Sequence, residues 1–317
     1  MRNNLYTLLK ADEKQVRKII VKYLKENGYE PIVTKDYIFA IGSVPVMLLA
    51  HYDTVPNPPK YIENKAGVLS AKKGLGADDR AGIYAILEVI RNHHCHVLFC
   101  GGEETGGIGS TLFSHDFKSG ALPEFDVNYC IQLDRRGSND AVYYDGDNEE
   151  FEDFIEDHGW KSAWGSFTDI CNVCPALGVM GVNLSIGYQN EHTKKETLDT
   201  AVMNANIKRI PELLDGKKFE WKEAKYTSGW YGNTYYGGWG YEDYGYYGKK
   251  DKGYNRRLVY RWLVEYEEGG ESHIGVCYGS DEYAAVGWFL MENDTLTFNS
   301  ISDIVIDDVV DDEYAYC

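Results

Sequence analysis

The chain has 317 residues, 44% of them hydrophobic, and a formal net charge of −18. That length can bury one full-sized core with room for a smaller module, and the charge opposes binding to nucleic acid or an anionic membrane. No run approaches the about 18 apolar residues of a membrane-spanning helix. The start, Met1-Arg2-Asn3-Asn4-Leu5-Tyr6, lacks a secretory signal pattern. Seven cysteines, an odd number beside an ample core, fit the reduced thiols of a cytoplasmic protein better than a disulfide framework.

Apolar positions at Val16, Ile19, Ile20, Tyr23 and Leu24 predict a helix from about Asp12 to Asn27, with Gly28 as its stop. Tyr37 to Ile41 and Val44 to Ala50 read as strands, the second delivering His51 and Asp53 at its end. Ala81 to Arg91 carries Ile83, Ile86, Leu87 and Ile90 on one helical face. Val97 to Cys100, Val127 to Leu133 and Val182 to Ile186 have the continuous apolar character of buried strands, and Glu196 to Leu214 reads as a closing amphipathic helix. Strands alternating with helices predict an α/β fold, a three-layer αβα sandwich around a mostly parallel mixed sheet.

Composition shifts after about Lys225. Tyr226 to Tyr254 is almost wholly tyrosine, glycine, tryptophan and charged residues, too poor in aliphatic side chains for a core of its own. The domain organisation expected is therefore a catalytic domain over 1–225, a Tyr/Gly-rich linker over 226–254 and a small β-rich module over 255–317. Leu258 to Tyr266, His273 to Tyr278, Ala284 to Met291 and Thr295 to Ile306 read as its strands, and Asp307 to Glu313 as an acidic tail.

Five short motifs follow one another along the first domain: His51-Tyr52-Asp53, Gly76-Ala77-Asp78-Asp79-Arg80, Gly102-Glu103-Glu104-Thr105, Leu133-Asp134 and Glu191-His192-Thr193. Each follows or ends an apolar run or glycine turn, where an open α/β sheet presents side chains to a ligand. Taken alone, each has an ordinary explanation: a buried histidine, a solvated turn, an acidic helix cap. Together they supply the ligands, the bridging carboxylate and the spare carboxylate that a pair of divalent cations and a general base require. His93, His94 and His96 have no carboxylate close in sequence and read as structural, as do Cys171 and Cys174. Gly101-Gly102 and Gly106-Gly107 are not followed by the Lys-Ser/Thr pair of a phosphate loop, and no serine-hydrolase elbow is present.

The ordered set resembles the zinc peptidase group of the M28, M20 and M42 families over about residues 45 to 200, Gly165-Ser166-Phe167-Thr168-Asp169 included. Asp134 and His192 are too close in sequence to frame an M20-type lid, and His51 and Asp78 too close to frame an M42-type insertion, so the layout is nearest the compact M28 type. The resemblance implies that His51 and Asp134 hold one metal, Glu104 and His192 the other, and that Asp78 bridges them across a cis Asp78–Asp79 peptide. It implies Glu103 as general base and Asp53 as the partner that orients His51.

The function expected is cleavage of peptide bonds from a chain end by a dizinc aminopeptidase, using metal-bound hydroxide and Glu103. The cofactors expected are two divalent ions, zinc before manganese or cobalt. The partner expected is a peptide or small amide, with neither nucleic acid nor membrane. Two alternatives stand beside it. An amidohydrolase of N-acyl amino acids would use Arg135 and Arg136 to receive a substrate carboxylate, and a non-catalytic metal-binding protein would reuse the fold.

Overall fold

The computed structural model describes residues 5–165, 167–224, 259–268, 271–279 and 301–310. They fall into two compact units, Met1–Tyr226 and Thr227–Cys317.

Among the described residues of the first unit lie seven α-helices: α1 (Leu5–Lys10), α2 (Glu13–Glu26), α3 (Ala77–Val89), α4 (Ile108–Lys118), α5 (Glu149–Asp157), α6 (Ile170–Leu177) and α7 (Thr200–Arg209). Its main sheet is built from β1 (Ile32–Val33), β2 (Tyr37–Ala40), β3 (Val44–His51), β6 (Cys95–Cys100), β7 (Tyr129–Arg135), β8 (Asp140–Val142), β9 (Lys161–Ser162) and β10 (Met180–Ser185). A smaller antiparallel sheet joins β4 (Glu63–Lys65), β5 (Val68–Ser70), β11 (Tyr188–Gln189) and β12 (Thr197–Asp199).

The main sheet runs β1-β2-β6-β3-β7-β10-β8-β9. Its four central strands, β6, β3, β7 and β10, are mutually parallel, while β2 and β8 join them antiparallel. Period-two alternation divides the strand residues between two faces. Val46, Leu48 and Ala50 of β3 enter one core with the buried side chains of α2 and α3. Met47 and Leu49 enter another with Phe113 of α4 and Ile170 and Val173 of α6. This is the predicted three-layer mixed α/β architecture.

Local chemistry sets the helix ends. The Asp12 side chain accepts from the Gln15 backbone N–H and the Gln15 side chain accepts from the Asp12 N–H, a reciprocal cap that starts α2 at Glu13. The helix predicted from Glu196 begins later, at Thr200. Thr197–Asp199 pairs instead with β5, and Asp199 caps α7 by accepting from Ala201 and Val202. Its end is also revised: Pro211 falls in a 3₁₀ turn, Ile210–Leu213, that closes the segment.

In the second unit, β13 (Val259–Glu268) is flanked antiparallel by β14 (Glu271–Gly279) and β15 (Ile301–Val310). Val264 is buried, and the Tyr266 and His273 rings face each other across the hairpin at 5.4 Å. The strand expected to end at Ile306 continues to Val310, so Asp307 and Asp308 are strand residues rather than tail. The predicted linker, the strand Ala284 to Met291 and the rest of the acidic tail lie outside the described residues. No helix among the described residues is long and apolar enough to cross a membrane.

Candidate metal centre

Because β3, β6, β7 and β10 are parallel, their carboxyl ends open at one edge of the sheet. His51 ends β3, Glu103 and Glu104 follow β6 after a glycine pair, and Asp134 is the penultimate residue of β7. His192 lies in the connection from β11 to β12, with φ at 58°, in the left-handed region that L side chains rarely adopt. Asp78 enters from the start of α3, where Gly76 is left-handed and Asp78 and Asp79 are not yet helical. The Asp78–Asp79 peptide is cis.

Asp78 stands between the two histidines. Its Oδ1 lies 3.0 Å from His51 Nε2 and its Oδ2 3.1 Å from His192 Nε2. His51 Nε2 also lies 3.5 Å from Asp134 Oδ1 and 3.9 Å from Glu103 Oε2, while His192 Nε2 lies 2.9 Å from Glu104 Oε2. Two triads able to hold a cation therefore share one carboxylate: His51, Asp78 and Asp134, and Asp78, Glu104 and His192. Behind His51, Nδ1 faces the Asp53 carbonyl at 3.1 Å and Asp53 Oδ1 at 3.4 Å. The Asp53 carboxylate accepts in turn from the backbone N–H groups of Glu103 and Glu104, both at 3.2 Å. All seven residues singled out in the sequence thus meet in one place.

The electrostatics are those of a crowded acidic site. Burial pushes the Glu103 carboxyl well above its ordinary range and raises Glu104 and Asp134 as well. Burial also acts to raise Asp78 and Asp53, but the neighbouring histidines prevail and hold both below their ordinary values. His51 is shifted far upward against its burial, chiefly by Asp134, and His192 is pushed up to about 11 by its hydrogen bonds to Asp78 and Glu104. Glu104 Oε1 is buried with no hydrogen-bond partner. A buried, unpartnered carboxylate oxygen beside a shared carboxylate and two imidazoles is a donor set that divalent cations satisfy.

Supporting residues escaped sequence reasoning. Gln132 donates to Asp134 Oδ2 at 3.0 Å, Thr168 to the same oxygen at 2.9 Å, and Tyr188 to Oδ1 at 3.0 Å. Gln132 could have been found, since it lies two residues before Asp134 on the same strand face; Thr168 falls in the segment 165–169 noted in the sequence, but without a role assigned, and Tyr188 carries no local signal. Asp169, wholly buried nearby, is pushed up to about 7 by burial. Glu196, expected to open a helix, instead accepts from four backbone N–H groups in the segment leading to Asp78.

Both arginines offered for a substrate carboxylate already face acidic side chains. Arg135 donates to the Trp164 carbonyl at 3.1 Å and faces Asp140 at 3.6 Å, and Arg136 pairs with Glu191 at 2.8 Å. His96 is held between the Gly42 N–H and the Asp126 carbonyl, and His94 stacks on Tyr29 at 4.0 Å, both in structural roles. Cys171 and Cys174 are free thiols.

Residues 40–166 match the model of peptidase family M28. No curated protein matches the chain. Among solved structures, the aminopeptidase PepT of Bacillus cereus aligns with a TM-score of 0.52 at 16% identity, covering 67% of this chain and 96% of that one. A tripeptidase of Staphylococcus aureus gives 0.53 at 14% identity, covering 66% and 95%, respectively. A TET aminopeptidase from a marine sediment Thaumarchaeota archaeon gives 0.52 at 14% identity, covering 68% and 95%. The match, which takes in His51, Asp78, Glu103, Glu104 and Asp134 but not β10 or His192, and the fold shared with these structures support a metallopeptidase, a hydrolase, of M28 type.

Proposed function

We propose that the chain is an aminopeptidase working with two divalent cations, zinc before manganese or cobalt. His51 and Asp134 would hold one, Glu104 and His192 the other, with Asp78 between them. The observation that carries this reading is the pair of triads sharing Asp78. When bound, the cations polarise the scissile carbonyl and acidify water.

The chain's own residues do the rest. Asp53 faces His51 Nδ1 and leaves Nε2 directed at the site. Glu103 lies 3.9 Å from His51 Nε2, farther than Asp78 at 3.0 Å and Asp134 at 3.5 Å, and it stands outside the two triads that share Asp78, which leaves it for proton transfer. Its raised affinity for a proton suits a group that takes one from the attacking water and passes it to the leaving amide nitrogen.

A free substrate ammonium matches the excess of carboxylates here. A substrate carboxylate would meet two arginines that are already paired. The test is mass spectrometry of a mixed peptide pool after incubation with the zinc-loaded chain, beside Glu103→Gln. Stepwise N-terminal shortening, lost in the variant, is the expected result. Shortening from the carboxyl end, or an untouched pool with metal bound, would overturn the aminopeptidase reading.

A further inference from the structure

Glu196 is 1% exposed, and its carboxylate is surrounded by backbone donors. Oε2 accepts from the N–H groups of Leu75 at 2.9 Å and Gly76 at 2.7 Å; Oε1 accepts from Ala77 at 2.7 Å and Asp78 at 3.2 Å. A buried carboxylate persists only where hydrogen bonds replace its lost hydration. Here two bonds to each oxygen fill its acceptor capacity. Gly76 brings no capping side chain to α3, so the N–H groups that a cap would serve turn to Glu196 instead.

We infer that Glu196 is a positioning residue that fixes the Asp78 backbone, and with it the separation of Asp78 from His192. Both groups hang on the same short stretch of chain. Glu196 lies four residues after His192 and bonds the N–H of Asp78 itself. The 3.1 Å approach of His192 to Asp78 is therefore closed through a tie a few residues long, rather than through the whole sheet. Glutamate suits this place better than glutamine, whose amide would present N–H groups to two backbone donors.

The inference rests on the reading that Asp78 and His192 bind metal, and the test separates the two. Zinc affinity of the full chain is measured by titration calorimetry for the unsubstituted protein, Glu196→Gln, Glu196→Asp and Asp78→Asn. Visible absorption of the cobalt-loaded forms and melting of the metal-free forms are recorded alongside. Glu196→Gln is expected to weaken zinc binding by about tenfold to a hundredfold and to alter the cobalt spectrum. Glu196→Asp, which keeps the acceptor oxygens, is expected to recover part of the loss.

Unchanged affinity and spectrum in Glu196→Gln, beside a loss in Asp78→Asn, would overturn this inference alone, even if melting were lowered. Should Glu196→Gln not fold, Glu196→Asp decides: weakened binding supports the inference, and unchanged binding and spectrum overturn it. If the unsubstituted chain and Asp78→Asn bind zinc alike, the metal site itself is overturned and the inference with it.

Discussion

Asp78 faces His192 with Oδ2 3.1 Å from Nε2, a hydrogen bond that requires a proton where a metal would otherwise stand. With its partners Asp78 and Glu104, the His192 ring is pushed up to about 11, so in the metal-free chain it is protonated at pH 7. Zinc must displace that proton. Because the metal competes with it, affinity should rise with pH, by about tenfold per unit for each proton released. Calorimetric titration in buffers of different ionisation enthalpy should show at least one proton released per chain. Release of none, with pH-independent affinity, would contradict this.

Helix α3 approaches β7 closely at Gly82. A Cβ there would collide with the Leu133 carbonyl and the Asp79 carboxylate, and the Gly82 N–H donates to Asp79 Oδ1 at 2.8 Å. Gly82→Ala should therefore destabilise the first unit by about 1–3 kcal/mol in chemical denaturation, the ordinary cost of overpacking. Unchanged stability would mean that the helix can slide without cost.

Much of the fold was legible because its signals are local. β3 and β6 are continuous apolar runs, and α2 combines a helical apolar face with a capping box. Part of the site was legible because His51, Glu103, Glu104 and Asp134 end or closely follow such runs, while Asp78 follows a glycine turn. The rest depends on pairing across the chain. Thr197–Asp199 looks helical by spacing, but β5 claims it as a strand. Glu196, Thr168 and Tyr188 act on residues more than thirty positions away, and a single sequence cannot reveal those partnerships.

A pH effect on folding is expected away from the site. His96 accepts from the Gly42 N–H at Nδ1 and donates from Nε2 to the Asp126 carbonyl, which fixes the neutral tautomer. Burial holds its pKa below the ordinary value, with the Asp126 bond opposing. A folded pKa below the unfolded one stabilises the fold above about pH 6.5, and that stability is lost as pH falls through the folded value. The fall in melting temperature from pH 7.5 to pH 5 should be smaller in His96→Gln than in the unsubstituted chain. Parallel curves would show that His96 does not titrate on unfolding.

The first unit closes its own core at Leu213, Leu214 and Phe219. We expect a chain ending at Tyr226 to remain soluble, to keep its near-ultraviolet circular dichroism and to bind zinc as the full chain does. Loss of folded protein on truncation would show that the first unit depends on residues 227–317.

The central claim is that Asp78 is shared by two cations, and metal counting tests it most directly. Elemental analysis of the full chain, after dialysis against zinc and then against metal-free buffer, should find two zinc ions per chain and fewer than two in Asp78→Asn. One ion or none in the unsubstituted chain, or an undiminished two in the variant, would contradict the account.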